Sequence, residues 1–166
     1  MNEVIRKSQH NPLLTGLYAA LPVAAAAVLG NVATIPNIPV WYASLAKPSF
    51  NPPNWIFGPV WTLLFIMMAY AFYCILRLPH AMAGRRLAIG LFLIQMALNA
   101  LWSWAFFAAH NPLAGLIVIV CLWMMIAATI VSFFRLARTA GALLVPYILW
   151  VSFALVLNAA IFRLNA

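Results

Sequence analysis

The residues in this sequence best suited to chemistry are amides and aromatic rings that recur at helical spacing within apolar segments. Gln95, Asn99, Trp102 and Phe106 follow one another at intervals of four, three and four residues, which places them on one face of a helix. An amide in hydrocarbon is costly without a hydrogen bond, so this face is expected to point into a helix bundle. Two roles remain open for these residues: hydrogen bonds between helices, or contact with a ligand.

Two further apolar segments carry a face of the same kind. In one segment the face consists of Trp61, Phe65, Met68 and Phe72, and in the other it consists of Tyr147, Trp150, Ala154 and Asn158. Aromatic rings combined with a few amides suit a large, flat, mostly apolar ligand that has few polar groups. Tetrapyrroles and sterols both fit this description, and the residues alone do not choose between them.

Groups for acid–base or metal chemistry are scarce. Glu3 is the only acidic residue, so the sequence has no carboxylate pair for catalysis and no intramembrane proton carrier for a drug exporter. The three histidines lie in the N-terminal tail or in turns, without a second His or Cys at ligand spacing, which predicts no metal site. Cys74 and Cys121 lie within apolar segments and are expected to be core thiols.

The composition predicts an integral membrane protein. Hydrophobic residues make up 67% of the chain and charged residues 6%, whereas about a quarter of a soluble domain is charged. Five segments are long and apolar enough to cross a bilayer: about 13–35, 54–76, 86–108, 112–134 and 142–162. The first is interpreted as a retained helix rather than a signal peptide. The expected fold class is therefore all-α, a single integral membrane bundle of five transmembrane helices over residues 1–166.

The formal net charge of +8 follows the predicted topology. One side of the membrane would carry Arg6, Lys7, Arg77, Arg85, Arg86, Arg135 and Arg138, and the other only Lys47 and Arg163. By the positive-inside rule the N-terminus faces the cytoplasm, if this is an inner membrane. The charge therefore indicates orientation in a lipid bilayer and does not indicate a nucleic-acid partner.

The segment between the first and second spans combines prolines with aromatic rings. Four prolines between positions 48 and 59 exclude one continuous helix, so an extended loop leading into a helix near Trp55 is expected. Trp41, Tyr42 and Phe50 also lie in this stretch. Two interpretations remain open: the rings anchor the loop at the membrane interface, or segment 36–53 is a lid that covers a pocket between the helices.

Three sequence motifs resemble one known family. They are WYASLAKPSFNPP followed by GPVW, then ALNALWSWAFF, then PYILWVSFALVLN. Together they resemble the translocator protein family (TspO/MBR), also called the peripheral benzodiazepine receptor or tryptophan-rich sensory protein family, in its bacterial type. The resemblance runs from the first loop to the fifth helix, with the motifs in the family's order.

The resemblance implies a five-helix bundle, usually a homodimer, that binds protoporphyrin IX, haem and related tetrapyrroles as ligands and requires no cofactor. Members also bind cholesterol and isoquinoline or benzodiazepine drugs. Bacterial members are linked to tetrapyrrole traffic and to stress- or oxygen-dependent regulation. Small residues at Ala88, Gly90, Ala97 and Ala100 are candidates for the dimer face.

The resemblance also implies which positions bind the ligand. The family's pocket positions match Phe57, Val60, Asn99, Trp102, Ala154 and Leu157. The other expected ligand-binding residues are Trp41, Trp61, Phe106, Tyr147, Trp150 and Asn158. Some members are reported to degrade protoporphyrin in light through two tryptophans that match Trp61 and Trp150, which gives an alternative function as an enzyme. The lack of a general acid or base favours binding.

The sequence departs from the family pattern in two places. The C-terminal cholesterol motif requires a Tyr, and the stretch from Leu157 to Arg163 has none. Animal members have a pocket tryptophan where this chain reads Leu113-Ala114-Gly115. Sterol and drug affinities are therefore expected to differ from those of animal members.

Overall fold

The structure, a computed structural model, describes residues 11–166, and every regular element in this range is helical. The helices are α1 (Pro12–Thr34), α2 (Phe57–Leu76), α3 (Arg85–Ser103), α4 (Pro112–Leu136), α5 (Arg138–Leu143) and α6 (Val145–Asn165). Glu3, Arg6, Lys7 and His10 lie outside the described residues.

Short helical turns extend three of these helices. A 3-10 turn (Ile35–Asn37) and a π turn (Ile38–Tyr42) continue α1, a 3-10 turn (Asn54–Ile56) precedes α2, and a π turn (Trp104–Ala108) continues α3. With these extensions, and with α5 joined to α6, five helical segments are long and apolar enough to cross a membrane. The prediction of an all-α bundle with five transmembrane helices is confirmed.

Two asparagines fix the beginnings of α1 and α4. The side-chain oxygen of Asn11 accepts a hydrogen bond from the N–H of Leu13, and that of Asn111 accepts one from the N–H of Ala114, both at 3.0 Å. A proline follows each asparagine at the first helical position. A backbone N–H at this position has no acceptor within the helix, so proline loses no hydrogen bond there. Both helices therefore begin with their first turns capped.

The predicted loop over 36–53 begins later than expected, because helical geometry continues through Ser44. Pro36 and Pro39 occupy the first positions of the 3-10 turn and the π turn, where the lack of an N–H costs nothing. The non-helical loop therefore spans only residues 45–53. Pro36 and Pro39 thus fit within short helical turns, while Pro48, Pro52 and Pro53 lie in the loop.

Small residues on α1 allow it to pack closely against α3. Its buried residues include Ala19, Val23, Ala26 and Ala33. A Cβ atom at Gly30 would lie 3.2 Å from Ser103 Oγ, and Trp104 Nε1 donates a hydrogen bond to the carbonyl of Leu29 at 3.1 Å. The small-residue side of α1 is thus an interhelical face, as expected where association in lipid depends on packing.

Stacked rings and a buried arginine connect α2, α3 and α4 at one end of the bundle. Phe92 stacks on Phe72 of α2, with ring centroids 4.2 Å apart, and lies 5.9 Å from Phe133 of α4. Arg85 is buried and donates to the carbonyls of Ile75 and Leu76 at the end of α2, at 3.3 and 2.9 Å. Its charge therefore stabilises the C-terminus of α2.

The described charges separate to the two ends of the bundle. One end, hereafter the basic end, holds the α2–α3 and α4–α5 connections with Arg77, Arg86, Arg135 and Arg138. Loop 45–53 and the turn at His110 lie at the opposite end, hereafter the loop end. The basic residues that the described chain contains thus have the asymmetry expected of a membrane protein.

The expected dimer face on α3 requires a correction. Ala88 and Ala100 are buried within the bundle, so they pack against helices of the same chain and are not available to a second copy. Ala97 is exposed and Gly90 is half-buried with open space beside it. Only these two of the four candidates remain accessible from outside.

We expect Gly115→Ala to destabilise the protein by about 1–3 kcal/mol, the typical cost of overpacking. A Cβ atom there would lie 2.9 Å from Phe106 Cβ and Cδ2 and 3.0 Å from Asn158 Oδ1. Gly90→Ala is the matched control, because no heavy atom lies within 4 Å of its added Cβ. The measurement is thermal unfolding in detergent micelles. A Gly115→Ala protein as stable as Gly90→Ala would contradict this packing.

Candidate ligand-binding site

A cavity of about 790 Å³ lies among α1, α2, α3 and α6, toward the loop end of the bundle. This volume falls within the range of small-molecule sites in proteins, about 300–1,000 Å³. Its aromatic lining residues are Tyr42, Phe57, Trp61, Phe65, Trp102, Phe106, Phe107 and Trp150. Its polar lining residues are Asn31, Thr34, Asn54, Thr62, Asn99, Ser103 and Asn158. The lining is thus mainly aromatic, with a small number of amides and hydroxyls.

Most of the residues expected to bind a ligand meet at this cavity. Those that line it are Phe57, Trp61, Asn99, Trp102, Phe106, Trp150, Ala154, Leu157 and Asn158. Trp41, Val60 and Tyr147 do not line it. Val60 packs beside the core, and Tyr147 is fully buried behind the lining. The assignment of all these residues to ligand binding stays a prediction.

Two hydrogen bonds join α3 to α6 beside the cavity. Asn99 Nδ2 donates to the Tyr147 hydroxyl at 2.9 Å, and Trp102 Nε1 donates to Asn158 Oδ1 at 3.1 Å. Asn158 Nδ2 also donates to the carbonyl of Pro112 at 2.8 Å, which connects α6 to the start of α4. Asn99 and Asn158 therefore hold helices together and line the cavity at the same time. The two roles that the spacing left open are not exclusive.

Gln95 fulfils neither of the roles expected for it. Its side chain is fully buried, and its Nε2 and Oε1 atoms have no hydrogen-bond partner among the described residues. It is also absent from the cavity lining. A buried amide without a partner costs about 1–3 kcal/mol, and no hydrogen bond from the described residues offsets this cost.

The aromatic wall of the cavity comes from α2 and α6. The ring of Phe57 lies 5.8 Å from that of Trp150 in an edge-to-face arrangement. Trp61 lies 5.4 Å from Phe65 and contacts the buried Tyr147 ring edge-on at 6.3 Å. Since both indoles line the cavity, a flat guest would have an aromatic face from each of two helices to stack on.

The aromatic residues between the first two spans divide into two groups. Trp41 stacks on His110, with centroids 4.8 Å apart, and contacts Phe106 edge-on at 5.3 Å. Tyr42 is buried, whereas Phe50 and Trp55 are 48% and 73% exposed. Tyr42 lines the loop end of the cavity, Trp41 packs on Phe106 outside the lining, and the outer rings are exposed as interfacial anchors would be. The buried Tyr42 is thus consistent with the interpretation of this segment as a lid, and the exposed Phe50 and Trp55 are consistent with interfacial anchors.

Loop 45–53 is fastened to the end of α6 by one side chain. Asn165 Oδ1 accepts from the N–H of Ala46 at 3.0 Å, and Asn165 Nδ2 donates to the carbonyl of Ala46 at 2.9 Å. The Tyr42 hydroxyl donates to Asn51 Oδ1 at 2.7 Å and holds the loop from the α1 side. The loop is therefore attached at both sides of the cavity mouth.

The helical pattern of the sequence did not predict the contribution of α1 to the site. Ala20, Ala24, Ala27 and Gly30 line the cavity, and their small side chains give it depth. The run from Ala24 to Ala27 is visible in the sequence, but small residues alone do not distinguish a packed helix face from one that borders a cavity. Asn165 was also missed, because its partner Ala46 is 119 residues away.

We expect Asn165→Ala to loosen loop 45–53, because it removes both hydrogen bonds to Ala46. The measurement is amide hydrogen exchange, and the protection of the Ala46 N–H should fall about 5- to 10-fold, as for the loss of a net hydrogen bond of about 1 kcal/mol. Leu164→Ala is the control, since Leu164 is 53% exposed. Equal exchange of Ala46 in both variants would show that Asn165 does not hold the loop.

Comparison with known proteins finds one family and several relatives to which this chain is similar. The sequence profile described as the TspO/MBR family matches residues 18–164. A "Tryptophan-rich protein TspO" from Chlorobaculum tepidum is 48% identical over 125 residues, covering 75% of this chain and 79% of the relative. A protein of the same name from Archaeoglobus fulgidus is 40% identical over 146 residues, covering 88% and 94%. The human "Translocator protein" is 35% identical over 126 residues, covering 75% of each chain.

Proposed function

The chain belongs to the TspO/MBR family, and from this premise we propose that it binds a tetrapyrrole, protoporphyrin IX or haem, in the cavity among α1, α2, α3 and α6. Binding would serve porphyrin transport, buffering, or sensing linked to stress or oxygen. The observation that carries the proposal is the combination, in one cavity of about 790 Å³, of aromatic walls from two helices with a few amides.

The shape and polarity of the lining support a flat, largely apolar ligand. A porphyrin offers two wide π faces, and Trp61 and Trp150 supply rings from separate helices to stack against them. Ala154 lies one helical turn beyond Trp150 on the same face of α6, and its small side chain leaves room for a ring. These contacts give affinity without any bond to a metal.

Polar groups around the cavity support recognition of a ligand with few polar atoms. No described residue donates a hydrogen bond to Asn99 Oδ1, so this oxygen can accept one from a pyrrole N–H. Lys47 lies at the mouth, with its ammonium 4.9 Å from the centre of the Tyr42 ring, and Tyr42 lines the cavity. The carboxylates of a porphyrin would therefore point toward the loop end, where a cation is near.

We extend the proposal to sterols and to aromatic drugs of the isoquinoline and benzodiazepine type, which are also mainly apolar. Two features limit this extension. The C-terminal stretch from Leu157 to Arg163 has no Tyr. The stretch Leu113-Ala114-Gly115, where animal members have a pocket tryptophan, contains none, and Gly115 within it packs against Phe106 and Asn158. Tetrapyrrole remains the preferred ligand class.

The protein is a multi-pass membrane protein, and we propose that its basic end faces the cytoplasm if the membrane is an inner membrane. The loop end, with the mouth of the cavity, would then face the opposite side. A homodimer is also proposed, with Gly90 and Ala97 as the accessible small residues of α3.

A second candidate function is light-dependent degradation of the bound porphyrin. It is favoured by the position of Trp61 and Trp150, which both line the cavity. An indole can transfer an electron or react with oxygen species that an illuminated porphyrin generates. Loss of porphyrin absorbance in light that requires both indoles would distinguish this activity from binding alone.

We expect Ala154→Phe to weaken binding of protoporphyrin IX at least about tenfold, because overlap with a new ring removes more than about 1.4 kcal/mol of binding energy. Val156→Phe is the matched control, since Val156 lies on the outer side of α6 and is 55% exposed. The measurement is a titration that follows the absorbance of the porphyrin, with thermal unfolding as a check on folding. Equal affinities in the two folded variants would overturn the proposed site.

A further inference from the structure

A second concave surface lies on the outside of the bundle, between the start of α3 and the last turns of α4. It has a volume of about 600 Å³, and we call it the α3–α4 groove. It is lined by Ala83, Gly84, Leu87, Leu91, Ala127, Ala128, Val131, Ser132, Arg135 and Leu136. None of these residues lines the central cavity. The groove is therefore a separate feature that the proposed function does not use.

Small residues give the groove its depth. Ala127 and Ala128 form part of its lining on α4, and Gly84, which has no side chain, borders it just before the start of α3. Leu87 and Val131 border the groove and are 63% and 52% exposed. The result is an open, mainly apolar depression on the outer surface of the bundle, where a hydrocarbon chain could lie.

A cation lies at the basic end of this groove. Arg135 is in the last turn of α4, is exposed, and lines the groove together with the hydroxyl of Ser132. No described residue forms a hydrogen bond or an ion pair with Arg135, and the only acidic residue of the chain is Glu3. Within residues 11–166 this guanidinium therefore has no counter-charge, although its planar donors are well matched to phosphate oxygens.

We propose that the α3–α4 groove binds one anionic phospholipid. The headgroup phosphate accepts hydrogen bonds from Arg135 and Ser132, and an acyl chain lies along Leu87, Leu91 and Val131. The headgroup and the acyl chain would then lie at the depths expected in a bilayer. Arg135 is at the basic end of the bundle, and the apolar lining of the groove extends from it along the helices, toward the membrane interior. Basic pockets between transmembrane helices are known sites for such headgroups.

Charge favours a lipid over a second copy of the chain as the occupant. In a two-fold dimer built on this face, the basic ends of both copies would lie side by side. Arg86, Arg135 and Arg138 of each copy would then be close to those of the other, and like charges in an interface are unfavourable. An anionic lipid instead supplies the missing negative charge.

The test is native mass spectrometry of the full chain in detergent, titrated with phosphatidylglycerol or with phosphatidylcholine of the same acyl chains. The wild-type protein should retain one phosphatidylglycerol molecule in preference to phosphatidylcholine. Arg135→Gln should weaken phosphatidylglycerol binding about fivefold, the effect of one basic side chain at an anionic surface. It should weaken phosphatidylcholine binding less, because the choline cation offsets the phosphate charge of that lipid. Arg138→Gln is the control, because it removes the same charge outside the groove lining.

A further variant, Ala128→Phe, fills the apolar part of the groove and should reduce retention of both lipids. Thermal unfolding checks that each variant is folded. The proposal is overturned if the wild-type protein does not prefer phosphatidylglycerol, or if Arg138→Gln has the same effect as Arg135→Gln. It is also overturned if Ala128→Phe converts a dimer to a monomer without changing lipid retention, because the groove would then be an interface between copies.

Discussion

The hydrogen bonds between α3 and α6 are the constraint on which the rest of this structure depends. Asn99 donates to Tyr147 and Trp102 donates to Asn158, and each pair brings a polar group from one helix to a polar group of the other. No water is available inside a bilayer to replace a lost partner, so the two helices keep their register if these groups are to stay satisfied. The same amides that could recognise a guest are therefore held in position by the fold.

The size of the central cavity follows from the small residues and aromatic rings that line it beside these hydrogen bonds. Protein interiors are normally packed as densely as organic crystals, so a space of about 790 Å³ between helices needs an occupant or an opening to lipid. Small residues on α1 and Ala154 on α6 create the space, and the rings of α2 and α6 give it flat walls. Both features are consistent with a planar guest, and neither is needed for a bundle whose only task is to span the membrane.

The sequence predicted the local features and missed the distant ones. Helical spacing placed Asn99, Trp102 and Asn158 on inward faces, because the helical period is a local property that can be read from one segment at a time. It also placed Gln95 on the same face, but among the residues of α3 the cavity lining extends only as far as Asn99, one turn short of Gln95. The attachment of the loop by Asn165 could not be predicted, because it requires the full fold to bring Ala46 to the end of α6. The short helical turns that contain Pro36 and Pro39 were not predicted, because whether a proline fits a helix depends on where that helix begins.

A double-mutant cycle on the free energy of unfolding, with Asn99→Leu and Tyr147→Phe, tests the central claim most directly. If the α3–α6 hydrogen bond holds the cavity wall, the two substitutions should couple by about 0.5–1.5 kcal/mol, the range for such bonds in proteins and membranes. Additive effects, with a coupling below about 0.3 kcal/mol, would contradict the claim that this pair fixes the register of α3 and α6.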